Sequence, residues 1–179
     1  MFITKVNGIN VEKRELVERD CTSRDLDMLV AFQKRVKSCM KIRNNWTIYK
    51  TKDLKEILEK DDFIKLYYDN DTFVGFSILR VNHGLDFEEK LGVDSIPSDK
   101  TALVIGAMID PKYWGNKLQN QMLTRRKEIA REKGLRYMLS MVSPNNGHSY
   151  DNLVDANYKT IVDDQFEGGR RLILTKELR

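Results

Sequence analysis

The sequence of 179 residues predicts a single domain of the mixed α/β (α+β) class, spanning residues 1–179. The first observation is a nearly unbroken apolar run at Ala102–Ile109, which is typical of a strand buried on both faces. The second is the charged segment after it, whose single apolar stripe predicts a long helix. The third is a pair of β-rich runs around Asp69–Asp71, which predicts a hairpin. We therefore expect a sheet flanked by helices, with a sizeable hydrophobic core.

The first elements are short. Met1–Lys13 alternates weakly and is expected to form an extra edge strand, and Arg14–Arg19 is expected to be a short strand. Thr22 or Ser23 is predicted to cap a helix that runs to about Met40.

The middle of the chain follows a break at Asn44–Asn45. A second helix is predicted from Thr51 to Lys60, after the cap-like Thr51. Phe63–Tyr68 and Thr72–Val81 are the two strands of the hairpin. Asn82–Lys100 is a long connection with room for a short helix around residues 87–91, and connections of this length are usually functional or mobile.

The central strand and helix are joined by a tight turn. Gly106 indicates a bulge or a close approach of another backbone or ligand, and simple crowding in the core explains it equally well. Asn116 is predicted to cap the helix and Gly134 to end it. The free N–H groups of such a strand–turn–helix unit can bind phosphate. Leu135–Val142 is predicted to be a further buried strand and Arg170–Lys176 the last one.

Composition and residue spacing argue against several classes of protein. The formal charge is +4, but 31 basic residues are interleaved with 27 acidic ones, which favours a solvated surface over a nucleic-acid-binding face. Cys21 and Cys39 have no metal-binding or redox spacing, which favours the reducing cytoplasm. His83 and His148 are far apart, so no metal site is predicted. We see neither a signal peptide nor an apolar run long enough to cross a membrane.

Two motifs carry a family resemblance. Asp110–Gln119 (DPKYWGNKLQ) resembles the acyl-CoA pyrophosphate loop of the GNAT N-acetyltransferase superfamily, whose pattern is Arg or Gln, two residues, Gly, one residue, then Gly or Ala. Trp114 stands at the first position, Lys117 at the first Gly and Gln119 at the small residue, while Gly115 is unchanged. Pro144–Tyr158 resembles the loop and helix after the fifth strand of that family.

Smaller features agree with this resemblance. Gly75 stands where members often carry a Gly inside a strand. Asn157 takes the place of the Gly in the "Gly-Phe" that ends the last helix, and Asn tolerates a left-handed cap better than other non-glycine residues. The resemblance implies a GNAT-like, mostly antiparallel sheet of six to seven strands with flanking helices. It also implies that the fourth and fifth strands are splayed.

The resemblance implies that acetyl-CoA is the cofactor and an amine the acceptor. A backbone N–H near Ala107–Met108 is then expected to meet the thioester carbonyl, with pantetheine running along the same strand. Lys117 is expected to pair with a phosphate. The expected cofactor-binding residues are Ala107, Met108, Ile109, Trp114, Gly115, Asn116, Lys117, Leu118, Gln119, Asn146 and Ser149.

The acid and base stay open at this point. Leu153 occupies the position of the Tyr that protonates the thiolate in many members, and leucine cannot donate a proton. Tyr150, three residues earlier on about the same helix face, is the candidate catalytic residue, although a surface or core role explains it equally well. The candidate bases are His83, water, and Asp86, Glu88 or Glu89 in the long connection.

The sequence therefore predicts an N-acetyltransferase that acts on a small amine or on a peptide or protein amine. The alternative is a non-catalytic acyl-CoA-binding module, which the missing Tyr favours. A nucleic-acid-binding domain is a third hypothesis, and it lacks the pattern of aromatic and basic residues that stacks bases. The oligomeric state stays open, a homodimer included.

Overall fold

The structure, a computed structural model, describes residues 1–40, 48–60, 62–81, 96–166 and 169–178. These residues contain nine strands: β1 Phe2–Val6, β2 Ile9–Glu15, β3 Val17–Asp20, β4 Phe63–Asp69, β5 Thr72–Arg80, β6 Thr101–Ile109, β7 Tyr137–Val142, β8 Lys159–Phe166 and β9 Gly169–Glu177. The same residues contain four α-helices: α1 Leu26–Cys39, α2 Thr51–Glu59, α3 Leu118–Glu132 and α4 Gly147–Asp155. Short 3-10 helices lie at Ser23–Asp25, Ser98–Lys100 and Pro111–Tyr113.

Seven strands form the main sheet, in the order β3-β4-β5-β6-β7-β9-β8. The β3–β4, β7–β9 and β8–β9 ladders are antiparallel, whereas the β6–β7 ladder is parallel. The predicted mixed α/β class with a mostly antiparallel sheet is therefore confirmed. The parallel ladder joins only Thr101–Val104 to Tyr137–Ser140, although β6 continues to Ile109. The Ser140 hydroxyl donates to the Val104 carbonyl oxygen at 3.0 Å, where this ladder ends.

The chain divides into two compact units, Met1–Ile78 with Gly106–Met122 and Leu79–Ile105 with Leu123–Arg179. The core of the first unit contains a cluster from β1, the link between β2 and β3, β4, β5, the 3-10 helix Pro111–Tyr113 and α3: Ile3, Leu16, Tyr67, Val74, Tyr113, Leu118 and Met122. The core of the second unit contains Ile96, Leu103, Leu139 and Ile173. A single domain over 1–179 stays a prediction.

The predicted role of the N-terminal strand residues in the main sheet was wrong. Met1–Lys13 does not add an edge strand to the main sheet, because β1 and β2 pair with each other in a separate two-stranded sheet. Asn7 and Gly8 form its turn with φ of +52° and +77°, the left-handed region that Asn and Gly tolerate. The strand expected at Arg14–Arg19 is divided between the end of β2 and the start of β3.

One strand was missed. β8 carries few apolar residues and is mostly exposed, so its sequence lacks the alternation that marks a half-buried strand. Among the described residues it pairs with β9 alone, at the edge of the sheet, from Lys159↔Thr175 to Phe166↔Gly169. The predicted last strand is confirmed as β9.

The helices and the hairpin agree with expectation. α1 buries Leu26, Leu29, Phe32 and Val36, and α2 begins at Thr51. The cap of α2 is Lys50 rather than Thr51, since the Lys50 N–H donates to the Asp53 carboxylate at 2.8 Å. The β4–β5 turn places Asn70 at φ +52°. The expected break at 44–45 and the short helix around 87–91 lie outside the described residues.

Within the described part of the chain, no helix has the length and apolar character needed to cross a membrane.

Candidate functional site

The turn between β6 and α3 is built from two left-handed residues. After the 3-10 helix Pro111–Tyr113, Gly115 has φ +86° and Lys117 has φ +53°. The Asp110 carboxylate caps the 3-10 helix by accepting from the Lys112 N–H at 2.9 Å. Gly115 thus has the positive φ for which glycine is the default residue. Lys117 also has a left-handed conformation, at the position that the sequence analysis aligned with a glycine, although a side chain there costs about 1–2 kcal/mol.

Helix α3 is capped by Lys117 and not by Asn116, so the predicted cap was wrong. The Lys117 carbonyl accepts from the N–H groups of Asn120 and Gln121, both at 3.1 Å. The first N–H groups of a helix have no acceptor inside the helix, and their dipoles favour an anion. The helix ends as predicted, with Gly134 at φ +70° and the Gly134 N–H donating to the Arg131 carbonyl at 2.9 Å.

The side chain of Asn116 stabilises the fold through hydrogen bonds to the backbone. Its side chain is buried, and its Oδ1 accepts from the N–H groups of Thr4 and Lys5 at 2.7 and 2.9 Å. Its Nδ2 donates to the carbonyls of Lys5 and Tyr113 at 2.8 and 2.9 Å. These four bonds use both donors and both acceptor lone pairs of the amide, so this side chain is unsuited to bind a cofactor. Leu118 is also a core side chain, and only its backbone is suited to a ligand.

The backbone groups of β6 alternate between its two edges. The Asp110 N–H donates to the Val74 carbonyl on β5 at 2.8 Å. The Met108 carbonyl also faces β5, because a Cβ built on Gly75 would lie 2.3 Å from its oxygen. Gly75 is therefore required by a close backbone approach. Since residues alternate along a strand, the backbone groups of Ala107 and Ile109 face the opposite edge of β6.

Trp114 closes part of that edge. Its indole Nε1 donates to the Ile109 carbonyl at 3.1 Å, while the side chain stays 48% exposed. An exposed aromatic ring fixed by one hydrogen bond fits a surface packer or lid better than a core residue. Gln119, two residues into the turn's helix, is half-buried.

A buried amide that the sequence analysis missed holds Tyr49 against β6. Gln33 of α1 is fully buried, donates to the Tyr49 carbonyl at 3.1 Å and accepts from the Tyr49 N–H at 2.9 Å. A Cβ on Gly106 would lie 3.3 Å from the Tyr49 ring and 3.4 Å from the Ile78 side chain. A side chain at Gly106 would therefore crowd these two residues slightly, which agrees with the crowding explanation without testing the approach of a ligand. The sequence did contain a signal for this contact, because Gln33 is a polar residue among the inward-facing apolar positions of α1.

Charges near the turn are partly paired. Arg35 of α1 donates to the Asp110 carboxylate at 2.6 Å. The Tyr113 hydroxyl donates to the Asp69 carboxylate at 3.1 Å, and burial, with the charge of Asp69, raises the pKa of Tyr113 to about 12. Tyr113 is therefore a structural residue that stays protonated near neutral pH. The side chains of Lys112 and Lys117 are exposed.

The remaining predicted residues lie in the second unit. Asn146 caps α4, since its Oδ1 accepts from the Ser149 N–H at 3.3 Å. Ser149 and Tyr150 are half-buried, whereas Leu153 is only 2% exposed. Asn157 ends the helix region at φ +62°, as expected of a left-handed cap. His83, Asp86, Glu88 and Glu89 lie outside the described residues.

The described residues contain no group of three or more His, Cys, Asp or Glu side chains placed to hold a metal ion.

The family model for the acetyltransferase (GNAT) family matches residues 29–151, more than half of the chain. The chain therefore belongs to the acetyltransferase (GNAT) family, as the sequence resemblance predicted. Acetyl-CoA is the cofactor of this family. No curated protein matches the sequence.

Solved structures share the fold at low sequence identity. A GNAT-family acetyltransferase from Listeria monocytogenes 4b F2365 has a TM-score of 0.73 and 14% identity, with 99% of this chain and all of that chain covered. An N-acetyltransferase from Staphylococcus aureus Mu50 has a TM-score of 0.71 and 14% identity, with 93% of this chain and all of that chain covered. The yncA protein of Salmonella typhimurium, determined with its cofactor acetyl-CoA, has a TM-score of 0.67 and 12% identity, with 93% and 95% covered.

Proposed function

We propose that this protein is an acetyl-CoA-dependent N-acetyltransferase that acts by direct attack of an amine of a small molecule, peptide or protein. One observation carries the proposal: the turn before α3 has two left-handed residues, Gly115 and Lys117, within the motif that resembles the family's pyrophosphate loop. The left-handed conformation of Lys117 costs free energy, and backbone strain in a non-glycine residue persists mainly at sites where it serves a function.

The turn fits the anionic end of the cofactor. The first N–H groups of α3 favour an anion, and Lys117 adds an exposed ammonium group. Gly115 leaves room for a phosphate, since a Cβ built there would meet the Lys5 Cδ atom only at 3.9 Å. We infer that the backbone from Gly115 to Gln119 would hold the pyrophosphate, with Lys117 as a charge partner.

The edge of β6 fits the other end of the cofactor. Bound acetyl-CoA supplies a thioester whose acyl carbon an amine can attack. Because the Met108 carbonyl faces β5, Ala107 is the better candidate to donate its N–H to the acyl oxygen. Ala107 and Ile109 would align the pantetheine arm as an added strand, and the Ile109 carbonyl would exchange its Trp114 bond for one to the cofactor.

The acid and the second candidate function depend on α4. Tyr150 is half-buried there and is our candidate to protonate the leaving thiolate. Leu153, at the position of the family's usual Tyr, is a buried leucine, and this observation favours the alternative of a non-catalytic acyl-CoA-binding protein. Asn146 and Ser149 are proposed to face the cofactor on the same helix.

The thiols of Cys21 and Cys39, both free, support a reducing compartment such as the cytoplasm.

Two measurements test the proposal. Calorimetric titration with acetyl-CoA should give saturable binding, and its absence would overturn both functions. Release of free thiol from acetyl-CoA, followed over a panel of small amines and peptides, should then exceed the rate without protein. Binding without thiol release for any amine would leave the binding module as the function.

A further inference from the structure

The N-terminal hairpin of β1 and β2 lies outside residues 29–151, the part of the chain that matches the family. It is nevertheless anchored in the core of the first unit. Ile3 has no exposed surface and belongs to the cluster that contains Tyr113 and Leu118, which flank the proposed phosphate turn. Burying an isoleucine is worth about 1.5–3 kcal/mol, so the hairpin is held in place and not loosely attached.

Side-chain amides bind the backbone of β1 as a neighbouring strand would. Asn116 in the turn bonds the N–H groups of Thr4 and Lys5 and the Lys5 carbonyl. Gln121 of α3 accepts from the Phe2 N–H at 2.7 Å and donates to the Phe2 carbonyl at 2.9 Å. The Asn7 N–H also donates to the Lys112 carbonyl at 2.6 Å. The hairpin is thus bonded to the turn and to α3 on both sides of Lys5.

The second strand of the hairpin is fixed to β4 by an ion pair, and the β4 carboxylate also holds a tyrosine that precedes the turn. Arg14 of β2 donates to the Asp69 carboxylate at 2.8 Å, and the same oxygen accepts from the Tyr113 hydroxyl at 3.1 Å. Because Asp69 is buried, this network resists local opening of the hairpin. The hairpin and the turn therefore form one ordered piece of structure.

This docking brings a further cation to the turn. The Lys5 Cδ atom lies 3.9 Å from the position that a Cβ on Gly115 would take. The Lys5 side chain is exposed, and within the described residues its ammonium group has no ion pair. We propose that the hairpin is part of the cofactor site and that Lys5 binds a phosphate of the acyl-CoA held by the turn. This inference rests on the proposed function.

The test compares two acetyl donors that differ in phosphate. Acetyl-CoA carries the pyrophosphate, whereas acetyl-pantetheine carries none, so a lysine that binds phosphate affects only the former. Lys5→Ala should raise the Kd of acetyl-CoA about tenfold, as expected for loss of an exposed charge-assisted hydrogen bond. The affinity for acetyl-pantetheine, measured by competition, should stay within twofold, and Lys5→Arg should restore most of the acetyl-CoA affinity.

Lys13→Ala is the matched control. Lys13 lies on β2 of the same hairpin, is exposed, and stacks its ammonium group over the Phe2 ring at 4.1 Å. Its removal takes the same charge from the hairpin and should leave the Kd of acetyl-CoA within twofold.

Three results would overturn the inference. An unchanged Kd in Lys5→Ala would remove the phosphate contact while leaving the proposed cofactor intact. An equal loss of affinity for both donors would show a disturbed fold rather than a lost phosphate contact. Failure of the unaltered protein to bind acetyl-CoA would overturn the proposed function and this inference together.

Discussion

Lys117 combines two opposite effects in one residue. Its backbone is strained at φ +53°, while its exposed ammonium group suits an anion next to the helix N-terminus. Without a bound anion, a lysine at this end of a helix is mildly unfavourable to the dipole. Stability and binding therefore make different demands on this position.

Substitution of Lys117 should separate these effects. Lys117→Gly relieves the left-handed strain and should raise the free energy of unfolding by up to about 1 kcal/mol, while weakening acetyl-CoA binding. Lys117→Glu keeps the strain, reverses the charge and should weaken binding by about 1–3 kcal/mol. Denaturant unfolding and calorimetry measure the two quantities. Unchanged acetyl-CoA affinity in both variants would count against placing phosphate at this turn.

Gly75 and Gly106 form a matched pair of strand glycines. Gly75→Ala would place a Cβ 2.3 Å from the Met108 carbonyl oxygen, a backbone atom that cannot move away alone. We expect it to destabilise the protein by at least about 2 kcal/mol. Gly106→Ala meets only side-chain atoms, at 3.3 Å or more, and should cost less than about 1 kcal/mol. Comparable losses of unfolding free energy in the two variants would contradict this assignment.

Helix α4 carries the proposed proton donor, Tyr150. If Tyr150 is the general acid, Tyr150→Phe should lower kcat about a hundredfold, the low end for a positioned acid, because a CoA thiolate needs little help to leave near neutral pH. The affinity for acetyl-CoA should be unchanged. Tyr137→Phe, at a half-buried tyrosine on β7, is the control. Full turnover by Tyr150→Phe on an accepted amine would remove Tyr150 from the mechanism.

The reverse substitution at Leu153 is expected to fail for a structural reason. Leu153 is buried in the second unit, so Leu153→Tyr adds volume to a filled core and should cost about 1–3 kcal/mol. A rate increase in a stable Leu153→Tyr protein would show instead that room for the family's tyrosine exists here. Thermal unfolding of the variant distinguishes these results before any rate is interpreted.

At the scale of the whole molecule, a buried thiol and a buried phenol with raised pKa values predict that the protein loses stability at alkaline pH. Burial raises the pKa of the Cys21 thiol to about 12, against a usual value near 9. A raised pKa means that the folded state keeps its proton longer than the unfolded state. The stability that this group contributes is therefore complete below about pH 9 and is lost as pH rises toward 12. Tyr113 acts in the same direction between about pH 10 and 12.

Unfolding free energies measured from pH 7 to 11 check this expectation. The free energy of unfolding should fall above about pH 9, and Cys21→Ala should reduce the slope in the first part of that fall. Cys39→Ala, at an exposed cysteine, is the matched control for the loss of a thiol. Equal slopes in the unaltered protein and Cys21→Ala would show that Cys21 does not govern the alkaline limit.

Local sequence patterns determined much of this protein. The apolar run of β6, the Gly115 turn, the stripe of α3 and the hairpin of β4 and β5 were predicted because each depends on neighbours in the chain. The two degenerate motifs were sufficient to identify the family, because they stand in the right order among these elements. Gly134 and Asn157 were predicted as left-handed caps for the same reason, since caps are local.

Only the tertiary structure decided how distant segments use their polar groups. Asn116 is a residue type that often caps helices, but its side-chain amide binds the backbone of β1 instead. It accepts from the Thr4 N–H, 112 residues away along the chain. β8 is a strand because β9 offers it an edge, not because its own residues alternate. Gln33 holds Tyr49, and Lys5 reaches Gly115, through contacts that no periodicity encodes. A local pattern specifies the conformation of a segment, whereas the choice of partner for a buried amide or a strand edge depends on which segments the whole fold brings together.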